Sequence, residues 1–254
     1  MAKVMVKLDG IRKQYGETTA LSSLSFQVHQ GEKIAVIGPS GAGKTTLLNI
    51  LARIVEPDEG RLEIDGQPAH RYTGRQFAHK VGVIRQQFDL VGSLPVIHNV
   101  LAGRLKDWGF FKSCLSFLWP QERHLAVEAL ARVGLKDKVY EKTAHLSGGE
   151  QQRVALSRLL VQRPELILAD EPVSALDPAR AHDILAMLVK LVEEEQQTLI
   201  ATLHTVEYAR TYFERIIALR EGRLYFDLPA SEVTDEQLNQ LYHLTELNQY
   251  VAAP

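Results

Sequence analysis

The stretch that decides the fold is Gly-Pro-Ser-Gly-Ala-Gly-Lys-Thr, residues 38–45. It matches G-x-x-x-x-G-K-[ST], the pattern of a phosphate-binding loop, in which glycines let successive backbone N–H groups point at an anion. Lys44 supplies a positive charge for the β- and γ-phosphates of a nucleotide, and the Thr45 hydroxyl is a ligand for Mg²⁺. These residue types at this spacing predict a nucleotide site, and we call residues 38–45 the phosphate loop.

The residues on both sides of the phosphate loop fit a strand–loop–helix arrangement. The apolar run at 34–37 predicts a buried strand, and the apolar residues from Leu47 to Ile54 have the spacing of one helix face. A helix that begins here directs the positive end of its dipole at the phosphates. The residues predicted to bind the nucleotide are Gly38, Ser40, Gly41, Gly43, Lys44, Thr45 and Thr46.

Length, charge and cysteine content limit the classes of protein that fit. The chain has 254 residues, which allows one large α/β domain or two small ones. A net charge of −2 provides no basic field for nucleic acid, and the single cysteine, Cys114, excludes an internal disulfide and suits a reducing cytoplasm. Residues 1–8 lack the apolar core of a signal peptide, and no apolar run approaches bilayer-spanning length, so we expect membrane association only through a partner.

Two carboxylates follow a second apolar run. Residues 166–169 predict a buried strand, and Asp170 and Glu171 come directly after them. In phosphate-loop enzymes an acidic residue at this position holds Mg²⁺, directly or through water, which is the role predicted for Asp170. Glu171 is placed to polarise the attacking water. The phosphate loop upstream makes an ordinary polar strand end the weaker interpretation.

Three further residues allow two interpretations each. His204 follows the strand predicted at 198–203, at the kind of strand end where ligands bind in doubly wound sheets, although a lone histidine is more often structural. Gln86 follows the strand predicted at 81–84, where a solvated loop is the simpler interpretation. Tyr15 either stacks on an adenine ring or is an ordinary tyrosine at a sheet edge.

A second helix start carries small residues. Leu-Ser-Gly-Gly-Glu, residues 146–150, precedes a helical pattern at 150–161. A serine and two glycines before a helix make either a second anion-binding N-terminus or an N-cap with no further role, and the segment alone favours the N-cap. We call residues 147–149 the signature segment.

The chain predicts an α/β fold with two additions. Alternating residues at 4–8 and 24–28 indicate an antiparallel β subdomain, and helical patterns from about 89 to 162 indicate an inserted helical subdomain. The predicted helices are 96–105, 121–133, 150–161 and 179–195. The predicted boundaries are 1–88 and 163–227 for the core with its β subdomain, 89–162 for the helical subdomain, and 228–254 for a short C-terminal tail.

An aromatic segment lies inside the helical region. Residues 108–119 contain Trp108, Phe110, Phe111, Phe117 and Trp119. They either pack as a helix of the subdomain or form an exposed apolar patch that docks a partner. The patch is favoured because breakers interrupt any long core helix here: Asp107, Gly109, Lys112 and Pro120.

In their order along the chain, these motifs resemble those of the nucleotide-binding ATPase subunit of ABC transporters. The phosphate loop is shared with many NTPases, whereas residues 146–150 match the ABC signature specifically. Tyr15 falls at the family's adenine-stacking aromatic and Gln86 at the Q-loop glutamine. Asp177 closes the D-loop, and His204 is the switch histidine. Arg85 stands where the family usually has an aromatic residue, without consequence for catalysis.

The resemblance implies a P-loop NTPase core and a mechanism. Two copies pair head to tail and hold two ATP molecules, each between one phosphate loop and the partner's signature segment. Gln86 senses the γ-phosphate and Mg²⁺, and His204 holds the γ-phosphate and orients water with Glu171. The expected partners are transmembrane permease subunits and, indirectly, a solute-binding protein, with no nucleic acid. The expected location is peripheral, at the cytoplasmic face of the inner membrane.

A closer resemblance concerns the transported solute. The run 100–119, the residues that follow it, and the tail at 234–242 look like the ATPases of phosphonate importers, and phosphite importers share these features. We therefore expect ATP hydrolysis that energises import of phosphonate or phosphite. The alternatives are another ABC system, for lipoprotein release, export or a different solute, and a soluble ABC ATPase acting on DNA or the ribosome. The last would need coiled-coil insertions or tandem cassettes that the sequence lacks.

Overall fold

A computed structural model describes residues 3–174 and 176–242, so the end of the predicted tail, 243–254, lies outside the described residues. The chain divides into two compact units: the first takes its described residues from 1–71 and 198–254, and the second from 72–197. This division does not test the predicted domain boundaries, which stay predictions. No described helix has both the length and the apolar character needed to span a bilayer.

The elements are numbered in chain order. The strands are β1 (Val4–Tyr15), β2 (Thr18–His29), β3 (Lys33–Ile37), β4 (Glu59–Ile64), β5 (Gln67–Pro68), β6 (Val81–Ile84), β7 (Leu166–Asp170), β8 (Thr198–Thr202), β9 (Arg215–Arg220) and β10 (Arg223–Pro229). The helices are α1 (Lys44–Leu51), α2 (Gly74–Lys80), α3 (Val96–Leu101), α4 (Phe110–Leu118), α5 (Arg123–Arg132), α6 (Gly148–Gln162), α7 (Pro178–Glu194) and α8 (Val206–Tyr212). The backbone is helical again over 235–242.

The first unit contains an antiparallel sheet in the order β2-β1-β4-β5. Val6 pairs with Val28 and Leu8 with Phe26, and all four side chains are buried. The alternation predicted at 4–8 and 24–28 is therefore confirmed as one buried face of this sheet. β4 and β5 are joined by the predicted turn at 65–66, where both residues have the positive φ of a tight hairpin.

The first unit also contains the strand that carries the phosphate loop. β3 lies between β8 and β9 and is parallel to both, and β10 is antiparallel to β9. Residues 34–37 of β3 are fully buried, as expected for a strand covered on both faces. The central position of β3 places the start of the phosphate loop at the carboxyl edge of the parallel strands.

The second unit is mainly helical around one parallel strand pair. β6 pairs with β7, with Ile84 opposite Ala169. α6 packs against α3, α5 and α7. It buries Val154, Ala155 and Leu156, among other residues. The three helices predicted at 121–133, 150–161 and 179–195 are present with ends shifted by one or two residues. These elements agree with the predicted α/β class with added antiparallel and helical parts.

Two predicted helices end earlier than their apolar patterns suggest. Ile54 was assigned to the apolar face after the phosphate loop, but α1 ends at Leu51 and Ile54 is 48% exposed. The chain turns away at Arg53, which has a φ of 56°. The helix predicted at 96–105 ends at Leu101 and continues as a 3₁₀ turn. In both places the apolar spacing extends beyond the hydrogen-bonded helix.

α2 was not predicted, because none of its residues is buried and it has no apolar stripe. Its start does carry a sequence signal. Thr73 and Gln76 form a capping box in which each side chain bonds the other's backbone N–H. A threonine followed by glutamine three residues later was the available sign of this helix.

The aromatic segment divides into a buried and an exposed part. Trp108 is only 3% exposed and its ring N–H donates to Glu122 at 3.4 Å, so its assignment to an exposed patch is wrong. The rest forms α4, a short helix that begins after Gly109, contains Lys112 and ends before Pro120. Its strongly exposed side chains are Phe110, Phe111, Phe117, Leu118 and Trp119.

Candidate nucleotide-binding site

Close backbone contacts require glycine at two positions of the phosphate loop. Gly38 has a φ of 149°, and a Cβ there would lie 2.1 Å from the carbonyl oxygen of Leu219. Gly43 has a φ of 99°, and a Cβ there would lie 2.4 Å from the carbonyl oxygen of Ala20. Neither position accepts a side chain without movement of the neighbouring backbone.

Lys44 lies against the loop's own carbonyl groups. Its side chain is buried, and its ammonium donates to the oxygens of Gly38 at 2.8 Å and Pro39 at 3.1 Å. The Gly222 N–H, in the turn between β9 and β10, donates to Ala42 O at 3.2 Å and so anchors the loop from outside. The loop is therefore held in a fixed curve around a positive charge.

The start of α1 is open to an anion. No side chain caps this helix at Gly43, so its first N–H groups are not satisfied by a cap. Ser40, Gly41 and Thr45 are exposed, and Thr46 is half-buried. Together with the Lys44 ammonium, these groups form the cradle expected for the phosphates of a nucleotide.

Two other predicted residues belong to the first unit. Tyr15 ends β1, is 49% exposed, and has the Lys13 ammonium 5.5 Å from its ring centroid. His204 is exposed and follows β8. Because β8 is the parallel neighbour of β3 and Leu203 N–H bonds Val36 O, His204 and the phosphate loop leave the sheet at the same edge.

The second unit brings Gln86 and the two carboxylates to one sheet edge. Gln86 follows β6, and Asp170 and Glu171 stand at the end of the parallel neighbour β7. Glu171 has a φ of 47°, a left-handed conformation that is uncommon outside glycine. Such strain costs on the order of 1 kcal/mol or more and is concentrated at functional sites. Ser174 supports the turn by donating its N–H and hydroxyl to the Glu171 carbonyl oxygen at 3.3 and 3.2 Å.

The signature segment begins α6. Ser147 is the N-cap, and its hydroxyl accepts the Glu150 N–H while the Glu150 carboxylate accepts the Ser147 N–H at 2.8 Å. These hydrogen bonds from Ser147 lower the pKa of Glu150 below its usual value. Gly148 and Gly149 lie in the first turn with open space where a Cβ would be. A cap and an accessible pair of glycines therefore occur together.

Asp177 also caps a helix. Its carboxylate accepts the Arg180 N–H at 3.1 Å at the start of α7 and forms an ion pair with the Arg180 side chain. The predicted site residues thus fall into two groups, each inside one unit. The first group is Tyr15, the phosphate loop with Thr46, and His204; the second is Gln86, the signature segment, Asp170, Glu171 and Asp177.

Sequence reasoning missed the supports of these residues. Leu219 of β9 and Gly222 of the following turn approach the phosphate loop from far along the chain. Gln152 of α6 donates its side-chain amide to the Pro172 carbonyl just after Glu171. No local pattern marks Leu219 or Gln152 as a support, because each contact joins distant parts of the chain.

Comparison with known proteins gives the family. A family model described as ABC transporter matches residues 21–174. The phosphonates import ATP-binding protein PhnC of Pseudomonas putida is 40% identical, over 98% of this chain and 92% of its own length. The chain belongs to the ABC transporter family. A second member, PhnC 1 of Pseudomonas syringae pv. tomato, is 45% identical over 91% of this chain and 88% of its own length.

Solved ABC transporter cassettes share the fold. The ATP-binding cassette MJ0796, in a dimeric post-hydrolysis state bound to ADP and Pi, is 33% identical with a TM-score of 0.75, covering 89% of this chain and 99% of that chain. The cassette MJ1267 in its ADP conformation has a TM-score of 0.80 at 23% identity, covering 98% of this chain and 99% of its own, which bears on the fold alone. The predicted P-loop NTPase fold is confirmed, and the chain is an ATP-hydrolysing subunit of an ABC transporter.

Proposed function

We propose that this subunit powers import of phosphonate or phosphite. The observation that carries the proposal is the similarity to curated relatives named phosphonates import ATP-binding proteins, at 40% and 45% identity over nearly the whole chain. The same name belongs to a protein of Halalkalibacterium halodurans that is 42% identical over 89% of this chain. The similarity extends well beyond the motifs that all ABC ATPases share.

Growth of cells that lack this chain tests the solute. We expect no growth on methylphosphonate or phosphite as sole phosphorus source, normal growth on phosphate, and rescue by the wild-type chain only. The matched non-rescuing control is Glu171→Gln. Normal growth on all three sources, in a strain without a second uptake system, would contradict the proposed solute. It would favour lipoprotein release, export or import of another solute.

In the proposed site, the phosphate loop and Thr46 bind the phosphates of ATP, and Tyr15 stacks on the adenine. The Thr45 hydroxyl, the Gln86 amide oxygen and the Asp170 carboxylate are hard oxygen donors, which suit Mg²⁺. We expect phosphates and water to supply most of the ligands of this ion, since Mg²⁺ usually keeps several waters when it binds at phosphates. The ion supplies charge neutralisation at the phosphates.

Glu171 is the proposed base and His204 the proposed γ-phosphate contact. The left-handed backbone at Glu171 and the two hydrogen bonds from Ser174 support this role, because they fix the direction in which the carboxylate leaves the strand end. Phosphoryl transfer needs positioning and charge stabilisation more than covalent participation by the protein. Gln86 and the switch residue His204 then complete the contacts on the reacting phosphate.

The proposed active unit is a head-to-tail pair of copies. Each ATP lies between one copy's phosphate loop and the other's signature segment, and Asp177 contributes from the partner side. Two observations support this arrangement. The cassette MJ0796 is dimeric in two solved structures, and a Cβ placed on either glycine of the signature segment would meet open space.

The variant Glu171→Gln tests both the base and the pair. We expect retained ATP binding, hydrolysis reduced at least a hundredfold because the water loses its base, and a stable ATP-bound dimer in size-exclusion chromatography. The matched control is Glu165→Gln, which precedes the same strand and only loses a surface ion pair with Lys80. Brisk turnover by Glu171→Gln would remove Glu171 from the proposed role.

The proposed location is the cytoplasmic face of the inner membrane, with the chain bound to permease subunits and through them to a solute-binding protein. α4, with Trp119 directly after it, is the proposed permease contact, since Phe111, Leu118 and Trp119 are each more than three-quarters exposed. Large exposed apolar clusters mark interaction surfaces. Changing Phe110 and Phe111 to serine should lower transport and spare basal ATPase activity. Ile54→Ser, an exposed apolar residue of the other unit, is the control.

A further inference from the structure

The loop after Gln86 contains two adjacent residues in an uncommon backbone conformation. Phe88 and Asp89 have φ values of 55° and 48°. Phe88 N–H bonds Arg85 O at 2.9 Å, and Asp89 N–H bonds Gln87 O at 2.7 Å. Non-glycine residues take this conformation only when surrounding contacts compensate for the strain. Something outside the loop must therefore hold it.

Arg158 supplies that contact. One of its terminal nitrogens donates to Phe88 O and the other to Asp89 O, both at 3.0 Å. The guanidinium is planar and its N–H groups point in fixed directions, so a single side chain fixes two successive carbonyl groups. Lysine has one nitrogen and no such fork.

The surroundings of Arg158 show that it serves these carbonyls and not a carboxylate. No described Asp or Glu lies within ion-pair distance of Arg158. Burial lowers the pKa of its guanidinium, the charge of Asp89 opposes this effect, and Arg85 adds to it. This half-buried cation is stabilised by the two carbonyl dipoles that it contacts, together with the charge of Asp89.

Arg158 belongs to the helix that carries the signature segment. α6 runs from Gly148 to Gln162 in one piece. Its Gln152 also bonds the Pro172 carbonyl after Glu171. One continuous helix thus begins at the signature segment and contacts the loops that follow Gln86 and Glu171.

We propose that Arg158 is a positioning residue that locks the Gln86 loop to α6, so that this loop and the signature segment move as one body during the ATPase cycle. The proposal rests on the roles proposed above for Gln86 and the signature segment. We assign Arg158 no direct contact with the nucleotide or with the attacking water. It sets the position of Gln86 through the carbonyls of Phe88 and Asp89.

The first test is the ATPase kinetics of the purified full chain with Arg158→Lys. The variant keeps the positive charge and loses the fork, so we expect kcat to fall about tenfold, the effect of one hydrogen bond from a charged donor. The KM for ATP should change less than about twofold, because ATP binding is the proposed role of the phosphate loop and Tyr15 and not of Arg158. Arg132→Lys is the matched control: Arg132 lies on α5, hydrogen-bonds Glu194 and Glu195, and should keep the wild-type kcat.

The second test is amide hydrogen exchange. If Arg158 only stabilised the fold, the substitution would not change exchange in the Gln86 loop selectively. Without nucleotide, Arg158→Lys should speed exchange at 87–91 and leave 150–162 unchanged. With a non-hydrolysable ATP analogue, wild type should slow exchange at 85–91 and 147–151 together, whereas the variant should slow only 147–151.

Three results would overturn the proposal. They are a wild-type kcat in Arg158→Lys, unchanged exchange at 87–91, and a parallel loss of ATP binding, kcat and melting temperature. A wild-type chain that does not hydrolyse ATP would contradict the proposed site instead, and the nucleotide-free exchange of the variant would still decide the role of Arg158.

Discussion

The phosphate loop and the signature segment are both glycine-containing starts of helices, but their glycines are required for different reasons. In the phosphate loop, Gly38 and Gly43 have positive φ values and backbone oxygens of the same chain lie where a Cβ would be. In the signature segment, Gly148 and Gly149 are helical, have ordinary φ values and face open space. Packing inside the chain requires glycine at 38 and 43, whereas no close contact among the described residues requires glycine at 148 and 149.

The difference shows which loop is complete by itself. The phosphate loop carries its own cation, Lys44, and is anchored by Gly222. The signature segment has a satisfied cap, Ser147 with Glu150, and no contact that uses its two glycines. The open space at Gly148 and Gly149 leaves room for a close approach by a neighbour outside the chain. In the proposed pair of subunits, that neighbour is the ATP held by the other copy.

The largest expected effect comes from Gly38→Ala. The added Cβ would meet the Leu219 oxygen at 2.1 Å. Alanine would also have to adopt the φ of 149° that the loop requires here, which is unfavourable for any residue with a Cβ. We expect the free energy of unfolding to fall by about 3 kcal/mol or more, because neither the backbone oxygen nor φ can adjust cheaply. Denaturant titration measures this change. Gly41→Ala has a positive φ but open space, so its smaller loss is the control, and equal losses would contradict the packing argument.

Lys44→Ala removes the charge from the phosphate loop. We expect ATP binding to weaken about tenfold to a hundredfold, the range for a hydrogen bond from a charged group. Calorimetric titration with ATP checks this prediction. Lys33→Ala, at the start of β3, removes a cation that pairs with Glu214 and should bind ATP normally. Unchanged affinity in Lys44→Ala would show that the loop does not hold the phosphates.

Gly149→Ala separates stability from activity in the signature segment. Alanine suits a helix better than glycine, so the free energy of unfolding should rise by roughly 0.5 kcal/mol. ATPase activity should fall tenfold or more, because the methyl group occupies the space that we assign to the partner's nucleotide. Gly74→Ala is matched to it, since Gly74 also lies in the first turn of a helix with open space. Full activity in Gly149→Ala would break the comparison.

The smallest effect concerns pH and the cap of α6. Because hydrogen bonds from Ser147 lower the pKa of Glu150 in the folded chain, its carboxylate stabilises the fold above the unfolded pKa, and this contribution disappears as pH falls through the folded pKa. Glu150→Gln should therefore lose a few tenths of a kcal/mol at pH 7, a small value because the pair is largely exposed to solvent. As pH falls below the ordinary glutamate pKa of about 4.3, the difference from wild type should shrink, and it should vanish only below the lowered pKa of Glu150 in the folded chain. A difference that grows on acidification would contradict the sign of this shift.

Local patterns predicted most of the elements that carry the site. The buried strand before the phosphate loop, the strand that ends in Asp170, and the helix after the signature segment all lie where apolar spacing and capping residues indicate. Two predictions failed because apolar spacing or aromatic character did not match the helix ends or the burial found in the structure. Ile54 has the spacing of the apolar face of α1, but it follows the end of that helix and is exposed. Trp108 is aromatic like Phe110 and Phe111, but it is buried whereas they are exposed. The spacing of apolar residues indicates which of them would share one face of a helix. It does not indicate where a turn ends that helix.

The sequence by itself determined the phosphate loop, the order of the site motifs and hence the family, because these depend on residue types at short, fixed spacings. The tertiary structure decided what supports them. It shows Leu219 against Gly38, Gln152 beneath the turn after Glu171, and Arg158 on the carbonyls of the Gln86 loop. The physical reason is that hydrogen bonds and close contacts between distant segments exist only once the chain has folded, and no local periodicity encodes them.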